Sequence, residues 1–190
     1  TIKNLPRLVA NPGIQRLQGA FAGRAAVVVG AGPSLNDALP YLAGAAGRCV
    51  LISTGTALRP LRRTGIRPDL VVSVDASHLT GKQFETACDD LFLACSSLAY
   101  PPILSQFRGL FSGSLAANPI SEWLNTFGAP KGTITAAGTV TTSAIDLAIQ
   151  MGCSTVICVG ADLSFKDNGV THADHSMYHG SRLDPARLIK

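Results

Sequence analysis

Short apolar, β-branched runs, each breaking off in small polar residues before a helical stretch, constrain this chain more than any other feature. Arg24 to Val29 ends in Gly30-Ala31-Gly32-Pro33-Ser34 and gives way to a helical stretch reaching about Ala43. Cys49 to Ser53 ends in Thr54-Gly55-Thr56, again before a helix. Leu70 to Val74 ends in Asp75, and Thr155 to Val159 ends in Gly160-Ala161-Asp162. Between them lie a weaker run, Leu91 to Ala94, and another at Gly109 to Ser112. Continuous apolar runs belong to strands covered on both faces. Their alternation with helices predicts βαβ units, hence an α/β fold: a Rossmann-like parallel sheet with helices on both faces.

The strongest helix spans Thr139 to Met151, where Val140, Ala144, Leu147, Ala148 and Met151 recur at helical spacing. Gly152 closes it. Residues 1–23, with Pro6, Pro12 and Gly13, read as an extended lead-in, and residues 24–190 as the domain. The start at Thr1 and the loop-like end at Lys190 are expected of a domain cut from a longer chain. With 46% apolar and 15% charged residues, 190 residues suffice for a core without staples and exclude a disordered chain.

The net charge of +4 is modest. Arg59, Arg62, Arg63 and Arg67 form the densest basic group and read as a solvated helix face, so no nucleic-acid partner is expected. Five cysteines without a C-x-x-C pair read as reduced, mostly buried thiols of a cytoplasmic protein. No His pairs with Cys at zinc-ligand spacing, so no metal centre is expected. No signal peptide is read, and no apolar run approaches the roughly 18 to 20 residues of a membrane span, so no membrane partner is expected.

In open α/β sheets, ligands bind outside the carboxyl ends of the strands. Those ends here carry Gly30 to Ser34, Thr54 to Thr56, Asp75, Ser96 with Ser97, and Asp162, more hydroxyls and carboxylates than turns require. At Gly30-Ala31-Gly32-Pro33-Ser34, the two glycines admit close approach to the backbone. Pro33 suits a first helical turn, and Ser34 adds a hydroxyl and an amide at the positive end of a helix dipole. An anion cradle is the preferred reading over an ordinary βα turn. The dinucleotide fingerprint does not fit, because Leu35 stands at its third glycine and Thr54-Gly55-Thr56 where an acid belongs. No Walker motif occurs.

Gly138-Thr139 opens a second helix with small polar residues and is either an anion site or a cap. Asp75 and Asp162 suit a ribose hydroxyl, Mg²⁺ or a helix cap. His172, His175 and His179 fall within eight residues directly after the last strand. A neutral imidazole there is a general-base candidate, against an exposed polar loop.

These motifs occur in a fixed order. Gly30 to Leu35 is followed by Arg67-Pro68-Asp69 leading to Asp75. Gly138-Thr139-Val140 then opens a helix ending in Met151-Gly152-Cys153. Val159 to Leu163 and Thr171-His172-Ala173 complete the series. It resembles the central domain of the motility accessory factor (Maf) glycosyltransferases and the 6-hydroxymethylpterin diphosphokinase MptE-like group. It is more distantly similar to bacterial sialyltransferases. Ala161 stands where Maf-like sequences usually carry Gln.

The resemblance implies a glycosyltransferase that moves a nonulosonic, sialic-acid-like sugar from a CMP-activated donor to Ser or Thr hydroxyls of flagellin. In that reading Gly30, Gly32, Pro33, Ser34, Gly138 and Thr139 hold the phosphate. Thr54, Gly55, Thr56, Asp75 and Ser96 meet the nucleoside. His172, or its neighbour His175, with Asp162, carries the proton chemistry. No cofactor is firmly implied. The alternatives are a diphosphokinase, which would need Mg²⁺ on Asp75 and Asp162, and a non-catalytic nucleotide-binding module.

Overall fold

The computed structural model describes residues 2–184 except 125, 127, 128, 136 and 137. Its strands are β1 (Ala25–Val29), β2 (Val50–Thr54), β3 (Leu70–Ser73), β4 (Phe92–Ser96), β5 (Gly109–Leu115), β6 (Thr133–Ile134) and β7 (Thr155–Val159). Its α-helices are α1 (Leu5–Ala10), α2 (Leu35–Ala45), α3 (Gly55–Arg63), α4 (Pro119–Leu124) and α5 (Val140–Gln150). The last residues of the expected domain, 185–190, lie outside the described ones.

The strands form one parallel sheet in the order β6-β5-β4-β3-β2-β1-β7. Side chains alternate between its two faces. Ala26, Val28, Val50, Ile52, Leu70 and Val72 point to one face, where Ala144, Leu147 and Ala148 of α5, with Met151 at its C-cap, cover them. Val27, Val29 and Leu51 point to the other, against Leu35 and Leu42 of α2 and Ala57 and Leu61 of α3. Val71, Leu93 and Cys95 extend that second face beneath Phe84, Ile103 and Phe107. The fold is thus the expected α/β, Rossmann-like arrangement.

Three features depart from expectation. Residues 2–17 are no extended lead-in: they form α1 and two 3-10 turns, and Leu8, Ile14 and Leu17 are buried. Asn4 donates to the carbonyls of Ser97 and Ala99, and Gly13 bridges to Ser112 of β5. The amphipathic spacing of Leu5, Leu8, Ile14 and Leu17 outweighs the proline signal, because Pro6 falls in the first turn of α1, where its missing N–H costs nothing. β6, of only two residues, leaves no readable run. β7 is an edge strand and not one buried on both faces: Ile157 is 50% exposed, and Cys158 is exposed as well.

All five cysteines are free. Cys49, Cys88 and Cys95 are buried and Cys153 half-buried. Burial pushes the Cys95 thiol up to about 12 and that of Cys88 up to about 11. Arg59 pairs with Glu85 at 3.4 Å, and Arg62 and Arg67 pair with Asp90 at 3.0 and 2.9 Å, so three of the four clustered arginines have acidic neighbours.

Topology places the site. Strands β1 to β6 step outward in one direction. α5 then carries the chain back across the sheet to β7, on the far side of β1. The reversal opens a crevice at the carboxyl ends of β7, β1 and β2, as at other switch points.

Candidate functional site

A cleft of about 560 Å³ fills that crevice. Thr54 borders it from the end of β2 and Thr56 from the first turn of α3. Thr139, Val140 and Thr141 border it from the start of α5, and Gly32 from the glycine turn. Residues 160–165, with Thr171 and His172, close it from the segment after β7.

The glycine turn is not an open phosphate cradle. It is joined backbone to backbone with the turn after β7: the Gly30 amide donates to Val159 O and the Gly32 amide to Gly160 O, both at 2.8 Å. A Cβ on Gly30 would lie 2.5 Å from Gly160 O, and one on Gly32 would lie 2.3 Å from Asp162 Oδ2. The glycines thus admit the protein's own chain, and a valine at 32 would displace Asp162 and not a phosphate. Asp162 itself accepts from the Ser34 amide at 2.8 Å and from the Ser34 hydroxyl. It therefore caps α2 in trans, its negative charge at the positive end of the dipole. Ser34 lies outside the cleft, on a separate depression shared with Tyr41 and Cys158. Gly30 and Pro33 do not border the cleft either.

The start of α5 is more open to the cleft. Thr139 is the N-cap, and its Oγ1 accepts from the Thr142 amide at 3.2 Å. First-turn amides at Val140 and Thr141 have no intrahelical partner by the geometry of a helix, and both residues border the cleft. Gly138, at φ +78°, supplies the left-handed turn into this cap.

Of the expected nucleoside contacts, Thr54 and Thr56 border the cleft. The Thr54 hydroxyl donates to Val29 O at 3.2 Å, which leaves its oxygen as an acceptor. Gly55 lies outside, where a Cβ would strike Gln83 and Phe84; its role is to let the 78–84 turn pack on α3. Asp75 is also outside. It is exposed and accepts from the Ser77 amide at 2.9 Å, a local turn contact. Ser96 is buried, donating to Val74 O and accepting from the Leu98 amide. The cause is strand order, since β4 stands three strands from β1, roughly 14 Å at usual strand spacing.

His172 reaches the cleft half-buried, against the Tyr178 ring at 4.9 Å, and burial pushes its imidazole below the ordinary range. The Thr171 hydroxyl, 2.9 Å from His172 Nδ1, donates its proton to Ser181 O at 3.1 Å. A hydroxyl has one proton to give. With the hydroxyl proton given to Ser181 O, Nδ1 is the donor to Thr171 Oγ1 and Nε2 carries the lone pair, the form of a general base. His175 does not join it. It turns at φ +64°, is exposed, and stacks on His179 at 6.1 Å.

The residues do not fit the Mg²⁺ of a diphosphokinase as expected. Both oxygens of Asp162 are engaged by Ser34, and Asp75 is outside the cleft. Among the described residues no group of three or more His, Cys, Asp or Glu is placed to hold a metal ion, and no helix is long and apolar enough to cross a membrane. The sequence reading missed Thr141, Ser164 and Thr171. Their hydroxyls look like caps and loop residues until the α5 start and the 160–172 segment face each other.

A search of curated proteins finds no match. Among solved structures, a Maf glycosyltransferase from Magnetospirillum magneticum AMB-1 superposes with a TM-score of 0.68 at 20% identity, over 87% of this chain. The chain spans 28% of that protein, and the likeness is one of fold. The family model described as 6-hydroxymethylpterin diphosphokinase MptE-like matches residues 1–168. Fold, ordered motifs and this match together place the chain in the 6-hydroxymethylpterin diphosphokinase MptE-like family.

Proposed function

We propose that the cleft binds a CMP-activated nonulosonic acid and transfers the sugar to a protein hydroxyl, flagellin being the acceptor that the family resemblance implies. At the coarser level, the names of the family and of the structural neighbour both describe transferases. The observation that carries the finer reading is the chemistry of the cleft wall. Hydroxyls of Thr54, Thr56, Thr139, Thr141, Ser164 and Thr171 surround one imidazole and one carboxylate, with no Lys or Arg among the described residues that border it. Neutral donors suit the phosphate of a CMP-activated sugar, which as a diester carries one charge beside the sugar's own carboxylate. A triphosphate calls for basic side chains or a metal.

In this mechanism the phosphate lies at the start of α5. The Val140 and Thr141 amides and the threonine hydroxyls stabilise the charge that grows as the sugar–oxygen bond breaks. His172 Nε2 takes the acceptor hydroxyl proton as the new glycosidic bond forms, and CMP leaves. Asp162 caps α2 and touches no reacting atom.

The test is release of CMP from a CMP-activated nonulosonic acid by the 190-residue chain, with and without flagellin. Acceptor-dependent release is expected. Binding of CMP without release under any acceptor would make the domain a non-catalytic module. AMP release from ATP with a hydroxymethyl pterin would make it a diphosphokinase.

A further inference from the structure

The segment carrying His172 is tied to the start of α2 on both sides of the imidazole. Upstream, Asp162 holds Ser34. Downstream, the Ala173 amide donates to Ala31 O at 2.9 Å, and the fully buried Ala173 packs in the cluster of Ala31 and Leu35. The Asp174 amide donates to Asn36 Oδ1 at 3.0 Å. Asn36 is the odd member of this set. It sits on the first turn of α2, where asparagine is a poor helix former, and it does not border the cleft.

We propose that Asn36 is a positioning residue for His172, its side-chain oxygen holding the 172–174 segment so that the imidazole stays in the cleft. The Thr171–Ser181 bond fixes the segment before the imidazole, and the Ala173–Ala31 and Asn36–Asp174 bonds fix it after. Between these bonds the ring packs against Tyr178. The Asp174 amide cannot replace Asn36 with an internal helical partner, because the described residues around it form turns and no helix. The placement of the imidazole follows from contacts alone; only its consequence for turnover rests on the proposed transfer.

The experiment compares native protein, Asn36→Ala and Asn36→Asp. Carbethoxylation of His172 by diethyl pyrocarbonate is followed by mass spectrometry against His78, an exposed histidine of the same chain that serves as the reference. Asn36→Ala is expected to raise the His172-to-His78 rate ratio about fivefold, the population shift of one lost hydrogen bond at about 1 kcal/mol. Asn36→Asp keeps an acceptor oxygen and is expected to restore the native ratio. An unchanged ratio in Asn36→Ala, or an equal rise in Asn36→Asp, overturns the proposal. In the transfer assay, Asn36→Ala should lower kcat with little change in the donor KM. A raised ratio with unchanged kcat would confirm the positioning of the imidazole and instead count against His172 as the base.

Discussion

Gly160→Ala is expected to lower the unfolding free energy by about 3 kcal/mol. Gly160 has φ +64°, a conformation that costs a non-glycine residue roughly 1–2 kcal/mol. The added Cβ would also stand 2.3 Å from Gly30 O, a backbone atom that cannot swing aside. Overpacking of this kind costs roughly 1–3 kcal/mol. For a chain of this size the Tm should fall by about 10 °C. The paired control is Gly44→Ala, on α2 with open space where its Cβ would go; it should be neutral or stabilising by up to about 1 kcal/mol. Urea unfolding followed by circular dichroism reads both. A Gly160→Ala protein as stable as the native one would mean that the turns after β1 and β7 are not joined as described.

His172→Ala is expected to reduce transfer by about 10² to 10⁴, the usual contribution of a general base, while CMP affinity stays near the native value. His175→Ala should leave both unchanged, because that ring is exposed and stacks on His179. The pH profile follows from burial of the His172 ring, which favours the neutral form. In the proposed transfer, the rate should therefore rise through an inflection below the ordinary imidazole value and be flat above it. Stability follows the same sign. Between the depressed folded value and the ordinary one of about 6.5, the unfolded chain binds more protons, so stability rises with pH there and is lost on acidification. A full native rate in His172→Ala would remove the imidazole from the mechanism.

The fold was legible because parallel strands buried on two faces leave unbroken apolar runs, and α5 shows its buried stripe from Val140 to Met151. β7 misled because an edge strand of Thr155 to Val159 has the same apolar composition as a central one. Thr139, Thr54, Thr56, Gly32, Asp162 and His172 border the cleft, since each ends or follows β1, β2 or β7 or opens α5. Asp75 and Ser96 lie outside it, because strand order is a long-range property: the sequence shows where strands end but not that β7 returns beside β1. Asp162 follows β7 as the sequence shows, but its contact with Ser34 does not show there. Only the fold shows that Gly32 approaches its carboxylate, so that the glycine turn, built like a phosphate cradle, holds the protein's own acid.

In the proposed reading, the hydroxyl-lined cleft takes a cytidine monophosphate group without a metal. Titration calorimetry of the 190-residue chain with CMP and with ATP, each with and without Mg²⁺, tests it most directly. CMP is expected to bind at least about tenfold tighter than ATP, about 1.4 kcal/mol, or roughly one well-placed hydrogen bond, and indifferently to Mg²⁺. ATP binding more tightly than CMP, with an absolute requirement for Mg²⁺, would contradict it.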